Sequence, residues 1–528
     1  MGLLAPAHPG DLLPRIEKTQ VAVVGAGVAG CLLAYRLAEA GRDVVVLEAG
    51  PRVDRAAAVQ AFRRDPYRGI SSPYPEHPLA PRPLLEDLEH HYLQSGPELF
   101  MGLYERRVGG STWHWLGTAM RFLEEDFRMR SQHGVADDWP ISLEQLAPYY
   151  AAAEQELGVA GPAPAPLPPH PLSKVDEAVA EACQLLGLST EALPQARNSR
   201  PHRGRPACCG SANCVPICPI GAKYDASLHA ELAERAGARL WSETPVTGLR
   251  GDSAGRIQEL LYRAGDGQTY TLEAETFVLA CHGIETPRLL LASGLANSGG
   301  AVGRYLMGGT AAISWGLAVE PVDPRNGPQA SMGLFGQRGG PHRAERSGFL
   351  TSVASDGWPH GNPEALLPEL LAQGLRGAEL RRRMTEHLAR QVCLVSTCEE
   401  LPDRANAISC DTGRPDLLGV GRPRLAYRIG DYTRRGLPIA QELHGVILKE
   451  MGAKEVGHQH PAADSAYILG TTRMGADQAS SVVDADLRCH DHENLYLVGG
   501  SVFPTAGSAP PTLTIAALAL RLADHLSC

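Results

Sequence analysis

Nowhere in the 528 residues does an apolar run approach the roughly 18 needed to cross a bilayer. The opening stretch, MGLLAPAHPGDLLPRIEK, lacks a basic segment followed by an apolar core, so no secretion signal of its own is expected. Basic residues are not in excess. Against 59 Asp and Glu stand 49 Lys and Arg, and the net charge of −10 gives no electrostatic case for nucleic acid. No internal repeat is found, and CxxCH is missing, which removes covalent haem attachment. What is present, 44% hydrophobic and 20% charged, has the balance of a globular protein. The chain is too long for one ordinary core and predicts two or three lobes. Its 57 glycines and 41 prolines point to many tight turns and ordered loops. Most of the 12 cysteines are scattered singly, which argues against a disulfide framework; four are not.

The apolar run Val21–Val24 leads into Gly25-Ala26-Gly27-Val28-Ala29-Gly30, then a helical pattern, then a second strand over 43–47 that ends at Glu48. Strand, glycine turn, helix, strand and acid in this order form a dinucleotide-binding unit. Gly25 permits the tight turn, Gly27 lets a pyrophosphate approach the backbone, and Gly30 lets the helix pack on the sheet. The helix N-terminus offers free N–H groups and a positive dipole end to phosphate. Glu48 can accept hydrogen bonds from the adenosine ribose. At the other end, ENLYLVGGSVFPTAGSAPPTLTIAALALRLADHL reads as a strand from Leu495, a glycine turn, a loop and a helix from about Thr512. An NAD enzyme needs no such returning unit. FAD is longer, and a second helix N-terminus favours negative charge on a reduced flavin. An ordinary closing helix of an α/β domain is the competing reading of this segment.

Glu48-Ala49-Gly50-Pro51, the run 108–115 (VGGSTWHW), Asp138-Trp139-Pro140, the run 278–291 (VLACHGIETPRLLL) and the C-terminal segment together resemble the glucose–methanol–choline (GMC) flavoprotein oxidoreductases over roughly residues 18–526. Within that family the chain is most similar to the catalytic subunits of bacterial FAD-dependent glucose, gluconate and fructose dehydrogenases. The resemblance implies an α/β fold: a Rossmann-type FAD-binding domain assembled from separated pieces, with an inserted α+β substrate domain whose antiparallel sheet lies over the flavin. The expected FAD domain takes residues 18–150, 235–303 and 476–528, and the substrate domain 151–194 and 304–475. The proline-rich stretch 161–171 is expected to be an extended connector. Residues 364–390 are expected to be a charged, solvated helix. To the cofactor-binding set the resemblance adds Ala29, Val246 and Ser501.

Cys208, Cys209, Cys214 and Cys218 lie within eleven residues, bounded by Gly and followed by Pro219. Structural zinc sites usually split their ligands into two separated pairs. One compact loop closed by Cys-Pro points instead to iron–sulfur ligation. A group of structural thiols is the bland alternative, although so short a loop has no room for two good disulfides. By resemblance to the glucose dehydrogenases, a [3Fe–4S] cluster maps onto Cys208, Cys214 and Cys218, with Cys209 spare, in a loop over about 195–225. A cluster would let reduced flavin pass electrons singly to an outside carrier, a dehydrogenase's habit rather than an oxidase's. In the related complexes the carrier is a cytochrome c subunit, and a small companion subunit supplies the export signal. The expected location is therefore cytoplasmic, or periplasmic by export with such a companion.

In the family, Gly109, Gly110 and Ser111 lie against the flavin ring. His114 stands where some members attach FAD covalently; packing on the ring edge is the alternative. Oxidising an alcohol also needs a base for the hydroxyl proton. The family places a histidine three residues before a Gly-Thr-x-x-Met segment and pairs it with His or Asn ahead of the last helix. Here those positions hold Tyr467 and Pro510. Tyrosine, with an ordinary pKa near 10, is a poor base and a reasonable acid or orienting donor, and proline offers no side-chain polar group. Leu306-Met307-Gly308-Gly309 replaces an Asp-His usually found after that Leu-Met. His458 and His460, a few residues upstream of Tyr467, are within reach of the site by sequence, but histidines of a surface loop are more often solvated. Three functions fit: a sugar or polyol dehydrogenase with a relocated base, with Tyr467 as the one candidate catalytic residue; a desaturase or amine-oxidising enzyme of a biosynthetic pathway, which needs no alkoxide; and an electron-transfer or scaffold subunit.

Overall fold

The β-branched run around Val21–Val24 and the four residues Val44–Leu47 are buried on both faces, as expected of strands inside a parallel sheet. They pair in parallel, Val21 with Val44 through Val24 with Leu47. A computed structural model of the chain describes residues 16–65, 70–354, 363–459 and 467–527. Its largest sheet has seven strands. The path runs Arg239–Trp241, Val44–Leu47, Ile16–Val24, Thr269–Leu279, Ile257–Arg263, Val246–Gly251, with Leu495–Leu497 also pairing with Thr269–Leu279. The five strands from Arg239–Trp241 to Leu495–Leu497 are joined in parallel, and the last two continue antiparallel. Helix Val28–Glu39 packs on the helices Thr512–Ser527 and Ser227–Arg235, so the returning C-terminal segment closes the same layer as the N-terminal turn.

A second, antiparallel sheet of six strands is ordered Lys454–His458, Thr310–Leu317, Gln391–Cys398, Phe349–Ala354, Met332–Leu334, Glu191–Ala192. Side chains alternate across it. Val353, Val392 and Leu394 join Ile447 and Leu448 of helix Asp431–Glu450 and Val175 and Val179 of helix Lys174–Leu185 in one apolar cluster. The neighbouring residues Cys393, Val395 and Thr397 therefore face the other way. On the helix-covered face, Ser314 Oγ meets His444 Nδ1 at 2.9 Å and His458 Nδ1 at 2.7 Å. His458 is thus a strand residue held by the sheet, not a free loop histidine, and it lies on the face away from Thr397. His460 lies outside the described residues.

Two further expectations are corrected. The stretch 364–390 is two helices, Pro363–Ala372 and Gly377–Arg390, because Gly374 turns left-handed between them (φ +84°). The second has no buried residue, though Leu380, Met384 and Leu388 are half-buried along one side, while the first buries Leu366 and Leu370. Nor is 161–171 simply extended. A turn closed by Ala165 N donating to Pro162 O brings Leu167 N back to Val159 O at 3.1 Å.

Candidate cofactor and substrate site

The glycine turn has the steric signature of a dinucleotide cradle. A Cβ on Gly25, whose φ is +102°, would stand 2.7 Å from Ala280 O, and one on Gly30 2.0 Å from Gly25 O. A Cβ on Gly27 would meet nothing within 4 Å. Gly25 and Gly30 are therefore locked by packing, while Gly27 faces the open space that a pyrophosphate needs. Helix Val28–Glu39 begins at Gly27 with no side-chain cap, leaving its first N–H groups, Ala29's among them, for that space. Buried Glu48 accepts from Ala26 N (2.8 Å) and Gly50 N (3.0 Å), which aims the carboxylate back at the turn. Burial raises its pKa, and the two N–H bonds oppose the rise. Each oxygen retains a lone pair for a ribose hydroxyl. Thr244 N donates to Glu48 O, which carries the adjoining strand with Val246 to the same end of the sheet.

Residues 109–114 form a short turn strapped to this cradle. Gly109 N donates to Ala26 O at 2.8 Å, and a Cβ on Gly110 would come 3.0 Å from the Gly27 Cα. Ser111 Oγ accepts from Glu105 N at 3.2 Å. The Nδ1 of His114 stands 3.5 Å from Glu105 Oε1. Glu105 is buried and also paired with Arg82 and Arg107. Its burial alone would raise its pKa, but His114 and the two guanidinium groups outweigh that and hold it low. On the far side, buried Ser501 Oγ and Thr472 Oγ1 have no hydrogen-bond partner, although Thr472 N donates to Ser501 O. Buried hydroxyls without partners are rare and call for a bound group. Ser501 was expected from the sequence; Thr472 was not, because it stands at an unspecified position of the Gly-Thr-x-x-Met segment and meets Ser501 only in the fold.

The cysteine loop touches this turn. Cys208, Cys209, Cys214 and Cys218 line one pocket. No disulfide joins any of the described cysteines. Among the described residues, no three His, Cys, Asp or Glu side chains converge as for a single metal ion. Buried Arg197 donates to Cys214 Sγ at 3.1 Å, and Lys223 N to Cys218 Sγ at 3.5 Å. Gln329 Oε1 accepts from Cys214 N, while its buried Nε2 in the pocket wall has no partner. The side chain of Lys223 runs the other way. Its Nζ donates to Trp113 O at 2.8 Å and Trp115 O at 2.5 Å, the carbonyls on either side of His114. Burial lowers the ammonium's pKa to about 8, against the pull of the nearby thiols. Arg197, Lys223 and Gln329 carry no signal in the sequence, since their partners lie elsewhere in the chain.

Tyr467 and Pro510 meet, as their positions imply, in a second pocket that also includes Gly308, Thr397, Glu399 and Ser508. A Cβ on Gly309 would lie 2.6 Å from Tyr467 Cδ2, so the tyrosine ring fills room that this glycine leaves. Burial pushes the phenol above its ordinary range, with a bond to Thr397 working against the shift. That is the wrong direction for a base. Glu399 is fully engaged, by Arg343 through both oxygens (3.0 and 2.5 Å), by Gly348 N (3.2 Å) and by Tyr432 Oη (2.5 Å).

The comparisons agree with this arrangement. Residues 22–310 and 402–519 match the N- and C-terminal models described as GMC oxidoreductase. The fructose dehydrogenase large subunit of Gluconobacter japonicus is 35% identical, the match covering 96% of this chain and 97% of that one. Paromamine 6'-oxidase of Streptomyces fradiae is 29% identical over 99% of this chain and 94% of its own. Pyridoxine 4-oxidase from Mesorbium loti shares the fold, with a TM-score of 0.65 at 18% identity, covering 96% of this chain and 99% of that one. A Rossmann-type cradle with a second antiparallel sheet, on a chain matched nearly end to end, has one reading: this protein belongs to the GMC oxidoreductases and is an FAD-dependent enzyme of that family.

Proposed function

We propose that the enzyme is a dehydrogenase that oxidises the CH–OH group of a sugar, polyol or related alcohol and passes the electrons through an iron–sulfur cluster to an external acceptor. The observation that carries this reading is that Lys223 bonds both to the cysteine loop and to the turn holding His114. When bound, FAD supplies two-electron acceptance and a cluster supplies one-electron steps. Cys208, Cys214 and Cys218 are the residues that would hold a [3Fe–4S] cluster, with Arg197, Lys223 N and the unpaired Gln329 Nε2 as donors to its sulfur. In a cluster each thiolate ligates its own iron, so the thiols need not converge on one point. The likeness to the fructose dehydrogenase large subunit supports a sugar substrate and an enzyme of more than one subunit. A cytochrome c acceptor, and a cytoplasmic location or a periplasmic one by export with a companion, are carried over from the family resemblance alone. His114, on that turn, is the residue that would pack on the flavin edge or bond to it.

The test is anaerobic. Sugars and polyols are mixed with the purified enzyme and the visible flavin band is followed, with iron and sulfide assayed on the same sample. Bleaching by a sugar and about three irons per chain are expected. Flavin that dithionite reduces but no hydroxyl compound does would sink the alcohol reading, and iron-free protein the cluster.

A second reading, oxidation of an amine or an activated C–H bond, is favoured by the pocket's walls. Tyr467 is pushed away from the basic form, Glu399 is fully bonded and Pro510 is mute. Tyr467→Phe tests whether the phenol serves as base, and the class of substrate that bleaches the flavin separates the two readings. Loss of a true catalytic base costs about 10²–10⁴-fold. Substrate-driven flavin reduction in Tyr467→Phe is expected to stay within about threefold of wild type, and a hundredfold loss by stopped flow would reinstate the phenol as the base.

A further inference from the structure

Lys223 is 1% exposed, and among the described residues no carboxylate pairs with its ammonium. The nearest candidate in sequence, Asp225, is taken by Arg55 at 2.6 Å and by Ser227. An ammonium buried on two carbonyl dipoles, with the nearby thiols and Asp225 acting on it only at a distance, is expensive to keep. A neutral side chain of similar length would fill the same space without burying a charge, though it would forfeit the two hydrogen bonds, so the charge itself calls for an explanation.

Its surroundings supply one. The two carbonyls it holds bracket His114, on the turn strapped to the dinucleotide cradle by Gly109 N. The next residue repeats the link, since Trp115 Nε1 donates to Tyr224 O at 2.8 Å. The ring of Trp113 packs against Ile217 of the cysteine loop and under the Arg55 guanidinium, which itself donates to Cys218 O at 3.0 Å. One face of the flavin turn is therefore built on the cysteine loop, with a buried positive charge at the join.

We propose that Lys223 is a positioning residue for the flavin: it fixes the His114 turn on the cysteine loop, and its buried charge raises the reduction potential of FAD. This rests on FAD lying against the 109–114 turn. A reduced flavin carries more negative charge than an oxidised one, so a nearby cation in a low-dielectric interior favours reduction.

The test compares wild-type, Lys223→Met and Lys223→Arg holoenzymes. The flavin midpoint potential is measured by equilibrium reduction against reference dyes, as isolated and again after iron chelation. Lys223→Met is expected to retain FAD with its reduction equilibrium shifted at least tenfold against the reduced form, about 30 mV for a two-electron couple. Lys223→Arg is expected to shift by less than half of that. Full FAD in Lys223→Met at the wild-type potential overturns the proposal. Should the methionine variant lose its flavin, the arginine variant decides: FAD bound near the wild-type potential supports the role of the charge, and a tenfold shift overturns it. Wild-type enzyme with flavin and no iron would sink the cluster reading separately, because the potential is read on the flavin alone.

Discussion

Arg343→Met is expected to cost about 3–5 kcal/mol of stability, the range for removing one partner of a buried ion pair. That is a large part of the roughly 5–15 kcal/mol that holds a typical domain together. The Arg343 side chain is fully buried and joins two carboxylates, Glu399 through two bonds and Asp126 at 2.7 Å. Its charge is held firmly, because those two anions outweigh the burial that would otherwise lower its pKa. Asp126 in turn accepts from Ser508 N at 3.0 Å and Ser508 Oγ at 3.1 Å. Glu399 and Ser508 both line the pocket with Tyr467. Methionine would leave two buried anions without their cation, and both walls of the substrate pocket would relax. Denaturant unfolding of the FAD-loaded protein checks the size. Adding Glu399→Gln should recover part of the loss, since it removes one stranded charge. A melting temperature unchanged by Arg343→Met would mean that the three groups are not coupled as their geometry implies.

No reading of the sequence reaches that network. Asp126, Arg343, Glu399, Tyr432 and Ser508 come from five distant stretches, and none is marked by spacing or neighbours. The cradle, by contrast, was legible because its chemistry is local: Gly25, Gly27, Gly30 and Glu48 sit within one strand–turn–helix–strand unit whose backbone conformation fixes the residue types. The four cysteines were legible as a group for the same reason, but their donors Arg197, Lys223 and Gln329 were not. At the substrate pocket the sequence revealed what is missing, the histidine at 467 and a polar residue at 510. It did not reveal the compensation, because Gly309 and Tyr467 lie 158 positions apart and meet only when strand 310–317 is placed in the sheet.

Gly27→Ala and Gly30→Ala, three residues apart, are expected to fail in different ways. A Cβ on Gly27 meets no protein atom within 4 Å, so the FAD-free variant should melt within about 1 kcal/mol of wild type. The methyl group nevertheless enters the space at the helix N-terminus where the pyrophosphate must sit. FAD binding should weaken at least tenfold, about 1.4 kcal/mol. A Cβ on Gly30 would stand 2.0 Å from Gly25 O and 3.4 Å from Ala280 Cβ, so the helix must move off the sheet before any cofactor arrives. Overpacking of this kind costs about 1–3 kcal/mol. Gly30→Ala should therefore lower the melting temperature of the FAD-free protein and its FAD content together. Flavin-to-protein absorbance ratios on purification and thermal melts after FAD removal give both numbers for each variant. Full FAD content in Gly27→Ala would place the pyrophosphate elsewhere. A normal melt in Gly30→Ala would mean that the helix is not seated on the Gly25 carbonyl, and the cradle would then owe its shape to something other than these glycines.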